Sequence, residues 1–334
     1  MMFGQPLFDR DPKNPIITAA DIPYQVNTVF NAGAVDLGDE VLLLLRVEDR
    51  RGISHLTVAR SRDGVTGWRI DSSPTIMPEP ELFPEEVWGV EDPRITRMET
   101  GPGEPPMYLI AYTAYSHGGP LVSLMRTHDF MSFERLGAIL PPEDKDAAVF
   151  PVKFAGRYAI IHRPAPSMAR IGSHVWISFS PDLKHWGDHR ILLRARAGGW
   201  WDADKVGLSP PPLRTEEGWL IMYHGVRQTA AGVIYRLGLA LLDLEDPRRV
   251  LKRSDEWVFG PEKPYERSGD VPDVVFPCGW IARGGQVLLY YGAADTSLCL
   301  ARANLRYLLD WLDEHSLEGE GSLRPPQHWC GIGF

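Results

Sequence analysis

Three observations predict an all-β chain, a five-bladed β-propeller followed by a short C-terminal helix. A hairpin pattern recurs five times, a polar turn recurs with it, and Gly (32) and Pro (29) punctuate runs rich in Val, Ile, Leu, Tyr and Trp. Apolar strand-like runs separated by turn residues at a regular step read as stacked or radially arranged units. Four-stranded units repeated about an axis leave only short, protected edges. The rival arrangement, a pair of two-sheet sandwiches, accounts less well for five matching units.

The hairpins follow in order. The first is Ala32–Leu37 then Leu42–Arg46, and the second Asp92–Thr96 then Met107–Tyr112. The third is Phe150–Phe154 then Tyr158–Arg163, and the fourth Pro210–Arg214 then Trp219–His224. The fifth is Phe276–Ile281 then Val287–Asp295. Their second strands begin at 42, 107, 158, 219 and 287, giving steps of 65, 51, 61 and 68 residues. After each hairpin comes an Asp or Asn in a polar turn: Asp63, Asp129 and Asp182, each followed by an aromatic (Trp68, Phe133, Trp186), with Asp246 and Asn304 as degenerate copies. Asp and Asn suit these turns because their side chains bond the backbone two residues on. The aromatics are expected to pack between units. Helical spacing is clear only at Leu305–His315. The chain reads as one domain over residues 1–334, with blades over about 25–312 and a tail over 313–334.

Composition narrows the function. A net charge of −9 argues against wholesale nucleic-acid binding. No stretch approaches the roughly 20 apolar residues of a membrane span, and the N-terminus lacks a signal-peptide core. Three cysteines, Cys278, Cys299 and Cys330, are too few for a disulfide framework and fit a reducing compartment. The expectation is a soluble, cytoplasmic protein with no membrane or nucleic-acid partner. The apolar end of the tail, Gln327–Phe334, packs on its own domain or on a second subunit, which leaves a homo-oligomer open.

The strand ends carry the chemistry. Arg46, Tyr112, His162–Arg163, His224 and Asp295 each end an apolar run, and a propeller brings such ends to one central channel. Glu91 and Asp92 open the second unit in Trp88-Gly-Val-Glu-Asp-Pro-Arg94. Desolvation there would raise the Asp92 pKa and suit it to a general acid; an Asp–Arg salt bridge in a turn is the alternative. Lys145, Arg163, Lys205 and His224 fall near the inner ends of the third and fourth units and form a basic set fitted to an anion, phosphate above all. No Walker loop, no Gly-x-Gly-x-x-Gly and no metal-ligand spacing is present. Trp88 and Trp200–Trp201 are candidates for stacking on sugar faces or for packing between sheets.

Together these segments resemble glycoside hydrolase family 130, the mannoside phosphorylases and related hydrolases. The carrying segments are Phe30-Asn-Ala-Gly33, Leu45-Arg-Val-Glu-Asp49, Gly89-Val-Glu-Asp-Pro-Arg94, His162-Arg-Pro164, Lys205-Val-Gly207, Tyr223-His-Gly-Val226 and Tyr290-Tyr-Gly-Ala-Ala-Asp-Thr296. The resemblance runs from about Asn31 to Thr296. It implies a five-bladed propeller with Asp92 as general acid, acting through a hydroxyl of the bound mannoside. Phosphate attacks the anomeric carbon from the opposite face, so a β-mannoside yields α-mannose 1-phosphate. This departs from the two-carboxylate scheme of hydrolysis, since phosphate needs no activating base. The resemblance also implies Arg163, Lys205 and His224 as phosphate ligands, with Tyr235 nearby and Lys145 where an Arg is common. Asn31, Arg46 and Asp295 would hold the mannosyl ring, with Arg51, Arg60 and Glu91 assisting. No cofactor is implied beyond phosphate as co-substrate. The alternatives are a hydrolase with Glu91 or Asp273 as base, and a non-catalytic sugar-binding propeller. Linkage and acceptor sugar stay open.

Overall fold

The computed structural model describes residues 6–316 except 102 and 166–171. Five sheets follow one another along the chain. Blade 1 holds Thr28–Asp36, Val41–Glu48, Ser54–Ser61 and Arg69–Ile70. Blade 2 holds Val90–Met98, Met107–Ser116, Gly119–Thr127 and Glu134–Leu140. Blade 3 holds Asp144–Val149, Tyr158–Pro164, Val175–Ser180 and Gly187–Leu193. Blade 4 is built on Lys205–Leu208, Trp219–Thr229, Gly232–Leu242 and Val250–Arg253, with Leu213–Arg214 as a fifth short strand. Blade 5 holds Val275–Arg283, Gln286–Ala293 and Ser297–Asn304. Its outer strand is Asp9–Arg10, which pairs antiparallel with Ala301 and Arg302. The ring is thus closed by residues that precede the expected start of the blades near residue 25. The sandwich alternative falls away, because each hairpin unit forms its own sheet.

The apolar runs have a simple cause. Leu42 and Leu44 enter a cluster shared with blade 2, through Ile110 and Tyr112. Val41, Leu43 and Leu45 enter one shared with blade 5, through Tyr290 and Leu300. Successive side chains on a strand point to opposite faces, and here both faces are covered by a neighbouring blade. Similar clusters lie between blades 2 and 3, 3 and 4, and 4 and 5. Each fully buried Leu contributes about 1.5–3 kcal/mol.

The polar turns behave as expected. Asp63 accepts from the Val65 and Thr66 amides, Asp129 from Met131 and Ser132, and Asp182 from Lys184 and His185. Asn304 caps the helix Leu305–Glu314 by accepting from the Tyr307 amide. In blade 4 Asp246 accepts from the Arg248 amide two residues on and also binds its guanidinium, and Asp243 adds a second turn by accepting from the Glu245 and Asp246 amides. Trp68 packs edge-on against Tyr290, an inter-blade role. The C-terminal helix buries Leu308, Leu309 and Leu312 between blades 4 and 5. Residues 317–334, which include Cys330 and most of the tail, lie outside the described residues. Among the described residues no helix is long and apolar enough to cross a membrane.

Closure brings blade 5 hard against blade 1. A Cβ at Gly279 would lie 2.5 Å from the Ala34 amide nitrogen, and Arg283 clamps Asp36 at 2.6 and 2.9 Å. The clash is with backbone, which cannot rotate away. Gly279→Ala is therefore expected to cost about 1–3 kcal/mol, read as a lower urea midpoint with an unchanged slope. An unchanged midpoint would mean the two inner strands are free to separate.

Candidate active site

The innermost strands of blades 1, 2 and 3 share one irregularity. Each has a β-bulge, between Phe30 and Gly33, Glu91 and Arg94, and Lys145 and Ala148. At each bulge one residue takes a left-handed conformation: Asn31 at φ 45°, Asp92 at 49° and Asp146 at 55°. Asn and Asp tolerate this region better than other side chains. A bulge re-aims a side chain, and here the three turn toward one another. Asn31 Nδ2 donates to Asp92 Oδ1 at 2.9 Å. Blade 5 has a bulge between Pro277 and Gly279 at buried Cys278, whose thiol pKa is pushed up by burial.

Around Asp92 lies an acidic half. Arg46 donates from Nη1 to Asp92 Oδ1 at 2.8 Å and from Nε to Ser54 Oγ at 2.9 Å. Its Nη2 lies 3.1 Å from Glu91 and 3.6 Å from Glu48. Asp295, in a left-handed turn at φ 50°, feels the charges of Arg46, Asp92, Lys145 and Glu48. Burial is the main cause that pushes its pKa up to about 6.

A basic half surrounds Asp146. Arg163 Nε donates to Asp146 Oδ2 at 2.6 Å, His224 Nε2 lies 3.4 Å from the same oxygen, and Arg94 Nη2 lies 3.5 Å from Oδ1. Arg94 is fully buried and crosses from blade 2 to blade 4, donating to the carbonyls of Ser209 at 2.6 Å and Leu208 at 3.1 Å. Burial pushes the Asp146 carboxyl up, but Arg163, Lys145 and Arg94 hold it well below the usual carboxylate range. Tyr235 lies beside the His224 ring, with centroids 6.0 Å apart. Lys145 joins the halves: its Nζ is 4.0 Å from Asp92 Oδ2, and its pKa is raised chiefly by Asp146 and Asp92 against the opposing effect of burial.

The structure therefore brings together Asn31, Arg46, Glu91, Asp92, Lys145, Arg163, His224, Tyr235 and Asp295. Two protonation states differ from expectation. Burial does push the Asp92 carboxyl up, but Arg46, Lys145, Arg94 and the Asn31 hydrogen bond outweigh it, so the free protein holds Asp92 ionised. His224 was expected among the cations. Burial pushes its pKa down to about 3, so at neutral pH it offers a hydrogen-bonding ring and no charge.

Several expected residues lie elsewhere. Arg51 is exposed in the turn after Glu48 and folds back on Asp49 through Nε at 2.9 Å. Arg60 pairs across from Leu42, whereas Arg46 pairs with Leu56. Four residues of strand, about 13 Å, thus separate Arg60 from the Arg46 level, and it binds Glu40 at 3.4 Å instead. Tyr112 donates to buried Glu86 at 2.7 Å. Lys205 is exposed at the start of its strand and makes no ion pair among the described residues. Two residues on, Gly207 leaves room for Asp146 and His224, each 2.5 Å from where its Cβ would sit. Asp273 is exposed, 3.9 Å from Arg267. Sequence reasoning missed Asp146 as the central anion and Arg94 as its partner across the channel. The signal was available: Asp146 holds in blade 3 the bulge position that Asn31 and Asp92 hold in blades 1 and 2.

A five-bladed propeller that gathers a buried carboxylate and clustered guanidinium groups at its axis has the makings of an enzyme site for a polar small molecule. The chain belongs to glycoside hydrolase family 130: the family pattern described as β-1,4-mannooligosaccharide phosphorylase matches residues 8–314. A β-1,2-mannobiose phosphorylase of Listeria innocua is 35% identical over 91% of this chain and 98% of its own. A β-1,4-mannooligosaccharide phosphorylase of Ruminococcus albus is 32% identical over 92% and 91%. The solved structure of a Listeria innocua β-1,2-mannobiose phosphorylase with β-1,2-mannobiose superposes with a TM-score of 0.82, at 33% identity, covering 92% of this chain and 99% of that one.

Replacing Asp146 would strand buried Arg94 and Arg163 without their countercharge. Asp146→Ala is expected to destabilise the fold by about 3–5 kcal/mol, seen in chemical unfolding. A loss under 1 kcal/mol would mean water or another acid already compensates these cations.

Proposed function

We propose that the protein is an inverting β-mannoside phosphorylase. The observation that carries this reading is the single buried cluster in which Lys145 links the Asp92 carboxylate to the Asp146–Arg163 pair. The phosphorylase names of its relatives support phosphorolysis over hydrolysis. So does the state of the two candidate bases, since Glu91 is held by Arg46 and Asp273 is exposed beside Arg267.

In the proposed reaction Asn31, Arg46 and Asp295 hold the mannosyl ring. Lys145, Arg163, His224 and Tyr235 receive phosphate. A phosphate oxygen forms a bond to C1 as the C1–O bond to the leaving sugar breaks on the opposite face. The leaving oxygen takes a proton relayed from the neighbouring Asp92 and Asp295 carboxyls, which interact electrostatically, through a hydroxyl of the mannoside. The configuration at C1 inverts, giving α-mannose 1-phosphate and a sugar shortened by one unit. No cofactor takes part. The proposed compartment is the cytoplasm, supported by Cys278 and Cys299, buried and unpaired.

Asp92→Asn should lower kcat on the order of 10²-fold or more, and Lys145→Ala should raise KM for phosphate on the order of tenfold or more, as loss of a charge-assisted contact of about 1.5–3 kcal/mol implies. Release of mannose 1-phosphate from β-mannobioses with and without phosphate checks both; equal cleavage without phosphate would overturn the proposal.

A pH dependence follows from the paired carboxylates. With Asp92 held ionised, the more basic site is Asp295, which carries a proton below about pH 6 and loses it above. A step that needs this proton slows as pH rises. At saturating phosphate, kcat/KM for the mannoside should fall through about pH 6, approaching tenfold per unit. A flat profile from pH 5 to 8 would remove the proton from the Asp92–Asp295 pair.

A further inference from the structure

A second cleft lies on the far side of the hairpin that carries His224 and Tyr235. Its volume is about 870 Å³, within the range of small-molecule sites, and its walls are Gly199–Trp201, Arg227, Ile234, Arg236 and Asp255–Trp257. Neighbouring residues on a strand point to opposite faces. His224 and Tyr235 face the catalytic cluster, while Gly225 and Arg236, which pair with each other, turn away toward Trp201 and this cleft. The two sites are back to back across one sheet.

The cleft is chemically mixed, and its floor is firmly packed. Trp201 forms its floor, stacked on Tyr223 at 5.5 Å, seated where a Cβ on Gly238 would come within 2.7 Å, and donating to the Asp255 carbonyl at 3.1 Å. Trp200 and Trp257 stand 37% and 43% exposed. Arg196, anchored on Asp202, lies 4.1 Å over Trp200, and Arg236 lies 5.0 Å over Trp257. Neither Arg227 nor Arg236 makes an ion pair among the described residues; each donates to a carbonyl, of Gly199 and of Tyr235. Asp255 and Glu256 add carboxylate acceptors to the same walls.

We infer that this cleft is a non-catalytic binding site for a β-mannooligosaccharide chain. Flat indole faces suit the C–H faces of a pyranose. Unpaired guanidinium donors and carboxylate acceptors suit its hydroxyls. The presence of both charge signs disfavours a strongly anionic or cationic ligand. The identity of the sugar rests on the phosphorylase reading above. A chain held here keeps free ends near the catalytic cluster at raised local concentration, so the benefit grows with chain length.

The test is Trp200→Ala/Trp257→Ala in the full chain, with Trp200→Phe/Trp257→Phe as the conservative control. Two substrates are compared with phosphate: β-mannobiose and a β-mannohexaose of the same linkage. The expected result is a KM for the disaccharide within twofold of wild type and a KM for the hexaose raised about fivefold, partly restored by the Phe pair. Calorimetric binding of the hexaose, measured in an Asp92→Asn background, should weaken in parallel. KM values that do not move, or that move alike for both sugars, overturn the inference. So does a change in light-scattering mass with hexaose binding intact, which would make the cleft a subunit contact. Hexaose binding lost with the two tryptophans, in a protein that cleaves no mannoside with phosphate, would sustain the cleft and sink the phosphorylase reading.

Discussion

The Asp146 carboxylate is the interaction on which the centre of this molecule depends. Arg94, Arg163 and Lys145 would repel one another at the buried centre of the ring. A single buried anion, within 2.6 Å of Arg163 and 3.5 Å of Arg94, allows all three to stay charged. Arg94 shows how far the effect reaches. It starts in blade 2, meets Asp146 of blade 3 and ends on two carbonyls of blade 4. A side chain that spans the channel sets the distance between blades as well as the local charge.

The anion reaches the axis only because the backbone is bent there. Regular strands would alternate their side chains between the two flanking blades and leave none on the axis. The bulges at Asn31, Asp92 and Asp146 add one residue to each inner strand and turn its side chain inward. The left-handed conformation that this requires is costly for most residues and mild for Asn and Asp. Conformational tolerance and chemical need therefore select the same residue types at the same places.

The division of charge across the site follows from this frame. On one side Arg46 is shared among Glu48, Glu91 and Asp92, so two or more carboxylates compete for one cation. Burial, with the neighbouring Asp92 and Glu48 charges, raises Asp295 to about 6 despite Arg46. On the other side cations outnumber the one carboxylate, and His224 stays neutral because burial disfavours a further charge. A mannoside and a phosphate placed between these halves would meet a proton source on one flank and positive charge on the other.

Strand pattern and turn chemistry alone determined the five blades, since apolar runs buried on both faces and Asp turns are local properties. They also pointed to much of the site, since Arg46, Asp92, Arg163, His224 and Asp295 fall at the starts or ends of the expected apolar runs, and a ring brings such positions toward its axis; Asn31 came only from the family resemblance. Only the tertiary structure decided that Asp146 is the hub, that residues 9–10 close the ring, and that Arg51 and Arg60 serve a turn and an outer edge. It alone decided that Asp92 is ionised and His224 neutral. The reason is physical. Hydrophobic periodicity and turn preference act between residues close in the chain, whereas a charge state depends on every group within a few ångströms, and in this channel those groups come from all five blades.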